Sequence, residues 1–284
     1  MHRIIKLKEW GVNVDEQRVP TPEYLAHTDG SIGAGPYRLR TDSDGFIHDG
    51  RDKPNENTPS IIFLGSSITE CMFLPEGHRL SDCVQAELNA MGTPFSVRNG
   101  GVSGTTLLHA FLSLLAKVVP LKPAAVIIMT GILDIECAED KRGFWTDQLF
   151  ASPLRTTPET PPTSRVTVPI DFSDRTRLLR AIDQVGLQFG ITIIHTTFAH
   201  RGIDQFSSRN LSYFQESARK RSLVNENTRQ HCYETDAKLI DLEAEFSNQC
   251  EIFYDDFHLN ELGAQTMGRA IAKEIKKILA ETCS

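Results

Sequence analysis

A serine that directly follows an apolar run and a glycine stands in a position to act as a nucleophile. Ile61-Ile62-Phe63-Leu64-Gly65-Ser66-Ser67-Ile68-Thr69-Glu70 contains such a residue, Ser67. Its hydroxyl needs a neighbouring base to attack a carbonyl. Near the other end of the chain, Tyr254-Asp255-Asp256-Phe257-His258-Leu259-Asn260 sets a carboxylate and an imidazole three residues apart. One turn of chain can put both on the same side, with Asp255 orienting His258. Plainer readings stand beside these: Ser after Gly is common turn chemistry, and Asp255 or Asp256 can simply cap the helix that follows. The segment is not the G-x-S-x-G elbow of the α/β-hydrolases, because Thr69 stands where that motif has glycine.

Two further segments carry polar groups. Asn99-Gly100-Gly101-Val102-Ser103-Gly104-Thr105-Thr106 precedes an apolar helical stretch. Its glycines can turn backbone N–H groups toward developing negative charge, or can merely make a tight turn. Met129-Thr130-Gly131-Ile132-Leu133-Asp134 ends the most apolar run, and Asp134 can cap the next element or bond across the site.

The elements that must position these residues alternate. Short apolar runs at 61–64, 95–97, 124–129, 191–194 and 239–240 read as buried parallel strands. Helical spacing fits 80–91, 107–119, 174–189, 210–235 and 259–279. This alternation predicts an α/β fold, a three-layer α/β/α sandwich on a central parallel sheet of about five strands. In such sheets ligands sit beyond the carboxyl ends of the strands, where three of the four segments fall. Residues 1–58 are polar and turn-rich and read as an N-terminal extension. Within it Tyr37-Arg38-Leu39-Arg40 and Phe46-Ile47-His48 are expected to form a hairpin about Asp44-Gly45. Residues 51–57 read as a linker, and residues 59–284 as the main domain. Pro and Thr between Ser152 and Pro169 predict a long surface loop or lid, beginning near Phe144.

These blocks, in this order, resemble those of the SGNH/GDSL hydrolase superfamily from about Ser60 to Ala280. The resemblance implies a flavodoxin-like SGNH fold and a serine esterase needing no metal or organic cofactor. Ser67 takes the place of the nucleophile, with Ser66 where the family has Asp. Asp255 and His258 match the final Asp-x-x-His block. Gly104 matches the glycine whose N–H joins that of Ser67 as an oxyanion donor. Asn99 and Asp134 fall where substrate contacts are expected. The third block departs: the family reads Gly-x-Asn-Asp, and here Leu133 replaces the Asn, a side-chain donor. Asn99, Ser103 and Thr130 are the polar candidates to supply the missing donor. The wider run, with Leu108-His109 and the leading Tyr37–Phe46 segment, is similar to a bacterial branch associated with surface glycans. That implies a small acyl ester, acetyl above all, on a carbohydrate. Two alternatives remain: an O-acyltransferase acting on a glycan, and a catalytically weakened glycan-binding protein.

Composition bounds the rest. A net charge of −7 over 284 residues, without a basic block, argues against nucleic acid as a partner. No apolar run suits membrane insertion, and the N-terminus lacks the apolar stretch of a secretory signal. Six scattered cysteines without a C-x-x-C pair read as reduced thiols, so a cytoplasmic location is expected. His195 and His200 flank Thr196-Thr197-Phe198-Ala199, which is not a zinc motif. His109 reads as a core histidine, and Asn225 and Arg229 as structural residues. The partner expected is a small-molecule or glycan ester; the oligomeric state is not legible.

Overall fold

In a computed structural model of the chain, the described residues are 3–5, 7–48, 50, 58–131, 133–147, 152, 154–156 and 165–282. The expected linker at 51–57, much of the expected lid, and Cys283 lie outside them.

Five parallel strands form the central sheet: β1 (Ser60–Gly65), β2 (Ser96–Gly101), β3 (Ala125–Met129), β4 (Thr192–Thr196) and β5 (Lys238–Ile240). Their spatial order is β2-β1-β3-β4-β5, the flavodoxin-like arrangement. All four pairings are parallel, with Phe63 registered between Asn99 and Ile127. The strands are apolar on both sides because helices cover both faces. Alternation sends Ile61, Phe63, Ala125, Ile127 and Met129 to one face. Ile62, Leu64, Val126 and Ile128 go to the other.

Helix α1 (Ser67–Glu70) is a single turn after β1. Helices α2 (Leu80–Ala90) and α7 (Glu261–Thr282) cover the first face, through Leu80, Val84 and Leu88 and through Met267, Ile271 and Ile275. Helices α3 (Leu107–Ser113) and α5 (Ser173–Phe189) cover the second. Beyond Ser113 the expected helix continues only as a wider turn over Leu114–Val118 and a tight one through Pro120, since proline supplies no N–H to the helical ladder. Helix α4 (Asp134–Ala138) follows β3, and α6 (Leu211–Thr235) packs beside α5 and the β4 and β5 strands.

The N-terminal segment pairs differently from the expected hairpin. The turn forms, with the Gly45 N–H donating to Asp42 and a Thr41–Ile47 bridge. Tyr37–Arg40, however, pairs along its length with Asp15–Arg18, a polar stretch with no strand signature. Ile47 also bridges Asn99 on the sheet edge, and Phe46 enters the second core. Within the expected surface loop, Leu154–Thr156 pairs antiparallel with Arg3–Ile5, and Thr167 bridges Asp140.

Candidate active site

Strand β1 ends where its direction of connection relative to β3 reverses, the usual crevice of a doubly wound sheet. Gly65 makes the exit possible. A Cβ there would lie 2.5 Å from the Met129 carbonyl oxygen and closer still to the Thr69 hydroxyl. Ser66 is extended, Thr69 and Glu70 donate back to its carbonyl, and Cys71 stops the turn in the left-handed region at φ 50°. Ser67 thus opens a one-turn helix at the carboxyl edge of the sheet.

His258 is brought to it by a pinched loop ahead of α7. Phe253 and Leu259 bridge across the loop, and the Tyr254 N–H donates to the His258 carbonyl. The His258 Nε2 lies 2.7 Å from Ser67 Oγ, and its Nδ1 lies 2.7 Å from Asp255 Oδ2. Asp255 Oδ1 accepts from the backbone N–H groups of Phe257 and His258, at 3.0 and 2.7 Å. Burial pushes the Asp255 carboxyl up, but the His258 charge and these hydrogen bonds outweigh it and hold it below the ordinary range. Tyr254 stacks on the imidazole at 5.5 Å and Phe257 tilts against it at 3.9 Å. The arrangement can draw a proton from Ser67 and keep the imidazole in the tautomer that accepts it.

Sequence reasoning missed the residues that hold this loop. The other acid, Asp256, is buried and accepts from Arg221 and from Ser217 Oγ. The Arg221 guanidinium also covers the Phe257 ring at 4.4 Å. Arg201 donates to the Phe253 carbonyl and to Asp29 of the N-terminal segment. No local pattern marks these pairs, since each partner lies on a different element.

The remaining sequence-predicted site residues are engaged in the fold. Asn99, 2% exposed, donates to the Thr69 carbonyl and Ser81 Oγ and accepts from the Gly101 N–H. It fastens β2 to the Ser67 turn. Asp134, fully buried, accepts from the Leu107 N–H at 2.9 Å and from Arg175 Nε at 3.0 Å. It ties the start of α3 to α5. The polar atoms of Asn99 and Asp134, both expected near substrate, thus face protein partners. Gly104 sits at φ 77° in the loop after β2. Val102 donates to the Gly65 carbonyl, so this loop lies against the Ser67 turn. Leu133, half-buried, precedes Asp134 at the start of α4. Of the polar candidates for the missing donor, Asn99 and Ser103 are hydrogen-bonded within the fold and Thr130 is buried. Asn225 binds the Phe198 backbone on both sides, Arg229 pairs with Asp241 and Glu243, and His109 caps α3 through Thr106.

Asp183, His195 and His231 place three potential metal-ligand atoms within 4.8 Å. Both Nε2 atoms bond the same carboxylate, at 2.7 and 2.6 Å, while both Nδ1 atoms are buried without a partner among the described residues. A ligating imidazole normally donates its second N–H to an acceptor, and these offer none. The cluster instead bridges α5, β4 and α6. Among the described residues no helix is long and apolar enough to cross a membrane.

A parallel sheet in the 2-1-3-4-5 order, with a serine, a histidine and an aspartate in hydrogen-bond series at its carboxyl edge, defines a hydrolase of the SGNH/GDSL class. The model of the GDSL-like lipase/acylhydrolase family matches residues 63–266, and the chain belongs to that family. Ester hydrolysis is the activity that goes with membership. No curated protein matches the sequence significantly. A catalytic mutant of Axe2, an acetylxylan esterase from Geobacillus stearothermophilus, is similar in structure, with TM-score 0.54 and 20% identity over 76% of this chain and 94% of that one. A GDSL-like lipase from Bacteroides thetaiotaomicron gives 0.51 and 14%, covering 82% and 93%. The acetyl xylan esterase AlAXEase gives 0.50 and 16%, covering 77% and 98%. At these identities the likeness establishes the fold.

Proposed function

We propose that the protein is a serine esterase that removes a small acyl group, acetyl above all, from a carbohydrate ester, with Ser67, His258 and Asp255 as its triad. The observation that carries this reading is the unbroken series Ser67 Oγ–His258 Nε2 and His258 Nδ1–Asp255 Oδ2, each 2.7 Å. His258 takes the Ser67 proton as Oγ attacks the ester carbonyl. The oxyanion that forms is stabilised by the backbone N–H groups of Ser67 and Gly104; an N–H in the first turn of a helix has no intrahelical acceptor. Collapse of the intermediate releases the sugar hydroxyl, protonated by His258. Water, deprotonated by the same imidazole, then frees the acid and restores Ser67. The carbohydrate is favoured by acetylxylan esterases among the structural neighbours.

Purified protein given an aryl acetate and a fluorophosphonate probe tests the reading. Turnover and labelling that both vanish in Ser67→Ala support it; a wild type no more active than Ser67→Ala sinks it. Leu133 favours a second reading, a glycan-binding protein with weakened turnover, because loss of one oxyanion donor costs roughly 10²–10³ in rate. Passage of the acyl group to a glycan hydroxyl instead of water is separated by adding acceptor glycans to the same assay.

A further inference from the structure

The N-terminal segment reaches the loop that carries Gly104. Lys8 Nζ donates to the Gly104 carbonyl at 2.6 Å. One residue earlier in that loop, the Ser103 N–H donates to Glu70 Oε2 at 3.1 Å, and the Ser103 hydroxyl bonds the same oxygen. Glu70 is 1% exposed and is the last residue of the one-turn helix that Ser67 opens. Lys8 and Glu70 therefore hold the loop from both sides of Gly104, one at the carbonyl that follows its N–H and the other at the residue before it. The N-terminal Arg18, whose guanidinium covers the Trp10 ring at 5.0 Å, adds a positive charge in electrostatic reach of Glu70.

A carboxylate buried this far is costly unless cations and hydrogen bonds compensate it. Burial pushes the Glu70 carboxyl up, opposed by the Ser103 bonds and by Arg18. A backbone oxyanion donor works only when aimed at the reacting oxygen before the reaction begins. With Leu133 where a side-chain donor is expected, the aim of the Gly104 N–H matters more.

We propose that Lys8 and Glu70 are positioning residues of the acyl-transfer reaction, fixing the Ser103–Gly104 peptide so that the N-terminal segment completes the active centre. The inference rests on the esterase reading above. Burial brings the Lys8 ammonium down to about 8, against the pull of Glu70. Among the described residues, Glu70 acts on it, as does His109, which burial and the Lys8 charge push down to about 4. His109 is thus neutral where Lys8 titrates. Above that pH the Gly104 carbonyl loses its charged donor and the site loses a nearby positive charge.

The test is kcat and KM for an aryl acetate, from about pH 6 to about pH 10, with full-length wild type, Lys8→Met, Lys8→Arg and Ser67→Ala. Wild-type kcat should fall above about pH 8. Lys8→Met should lower kcat about tenfold or more with KM within about twofold, and should lack that alkaline fall. Lys8→Arg, charged throughout, should restore most of kcat and move the fall upward. Melting temperatures show whether each variant is folded. Lys8→Met with wild-type kcat and pH profile overturns the inference, as does a kcat loss that Lys8→Arg does not rescue. An active wild type with an unaffected Lys8→Met sinks this inference alone. A wild type no better than Ser67→Ala sinks the esterase reading and this inference with it.

Discussion

His258 Nε2 and Ser67 Oγ lie 2.7 Å apart although 191 residues separate them in the chain. The contact exists because β1 lies inside the sheet, between β2 and β3, and α7 packs on the face from which the Ser67 turn emerges. Each residue is held by its own backbone device, Gly65 for the serine and the Phe253–Leu259 bridge for the histidine.

Asp255→Asn tests the orienting half of the series. An amide can present its NH2 to Nδ1 and favour the wrong tautomer, so kcat should fall by roughly 10²–10⁴ with KM little changed. The stability effect has a defined sign. The folded Asp255 carboxyl is held below its ordinary 3.8, so its contribution is present above that value and is lost as pH falls through the lower folded one. Melting curves of wild type and Asp255→Asn should therefore differ near neutral pH and converge in strong acid.

Leu133→Asn supplies the side-chain donor that the third block lacks. Leu133 is half-buried at the start of α4, so an amide there can be accommodated. The expected result is a rise in kcat of up to roughly 10²–10³ at nearly constant KM. Steady-state kinetics on an aryl acetate measure it, and an unchanged kcat would show that this position does not face the oxyanion.

Arg221→Met removes the cation that Asp256 and Phe257 share. Breaking one side of a buried pair costs about 3–5 kcal/mol, and the loop carrying His258 loses one of its anchors. Denaturant unfolding should show that loss, with kcat lowered as well. Arg221→Met combined with Asp256→Asn should recover much of the stability, since no uncompensated charge is left; a double variant as unstable as the single one would contradict this account.

Much of the architecture was legible in the residues themselves. The five apolar runs became the five strands, and the serine, histidine and aspartate singled out by type and spacing met in space. Local signals sufficed because strand alternation, the helical repeat, a glycine at a tight exit and an Asp-x-x-His turn each act over a few residues. What the tertiary structure decided depends on partners far apart in sequence. Asn99 and Asp134 are bound to Thr69, Ser81, Leu107 and Arg175. Asp15–Arg18 is a strand only because Tyr37–Arg40 lies beside it. The hold of Lys8 and Glu70 on the Gly104 loop has no sequence signature, because hydrogen bonds between separate elements leave no periodicity along the chain. Residue order set which groups stand at the carboxyl edge of the sheet, and packing set which of them remained there for chemistry and which became its supports.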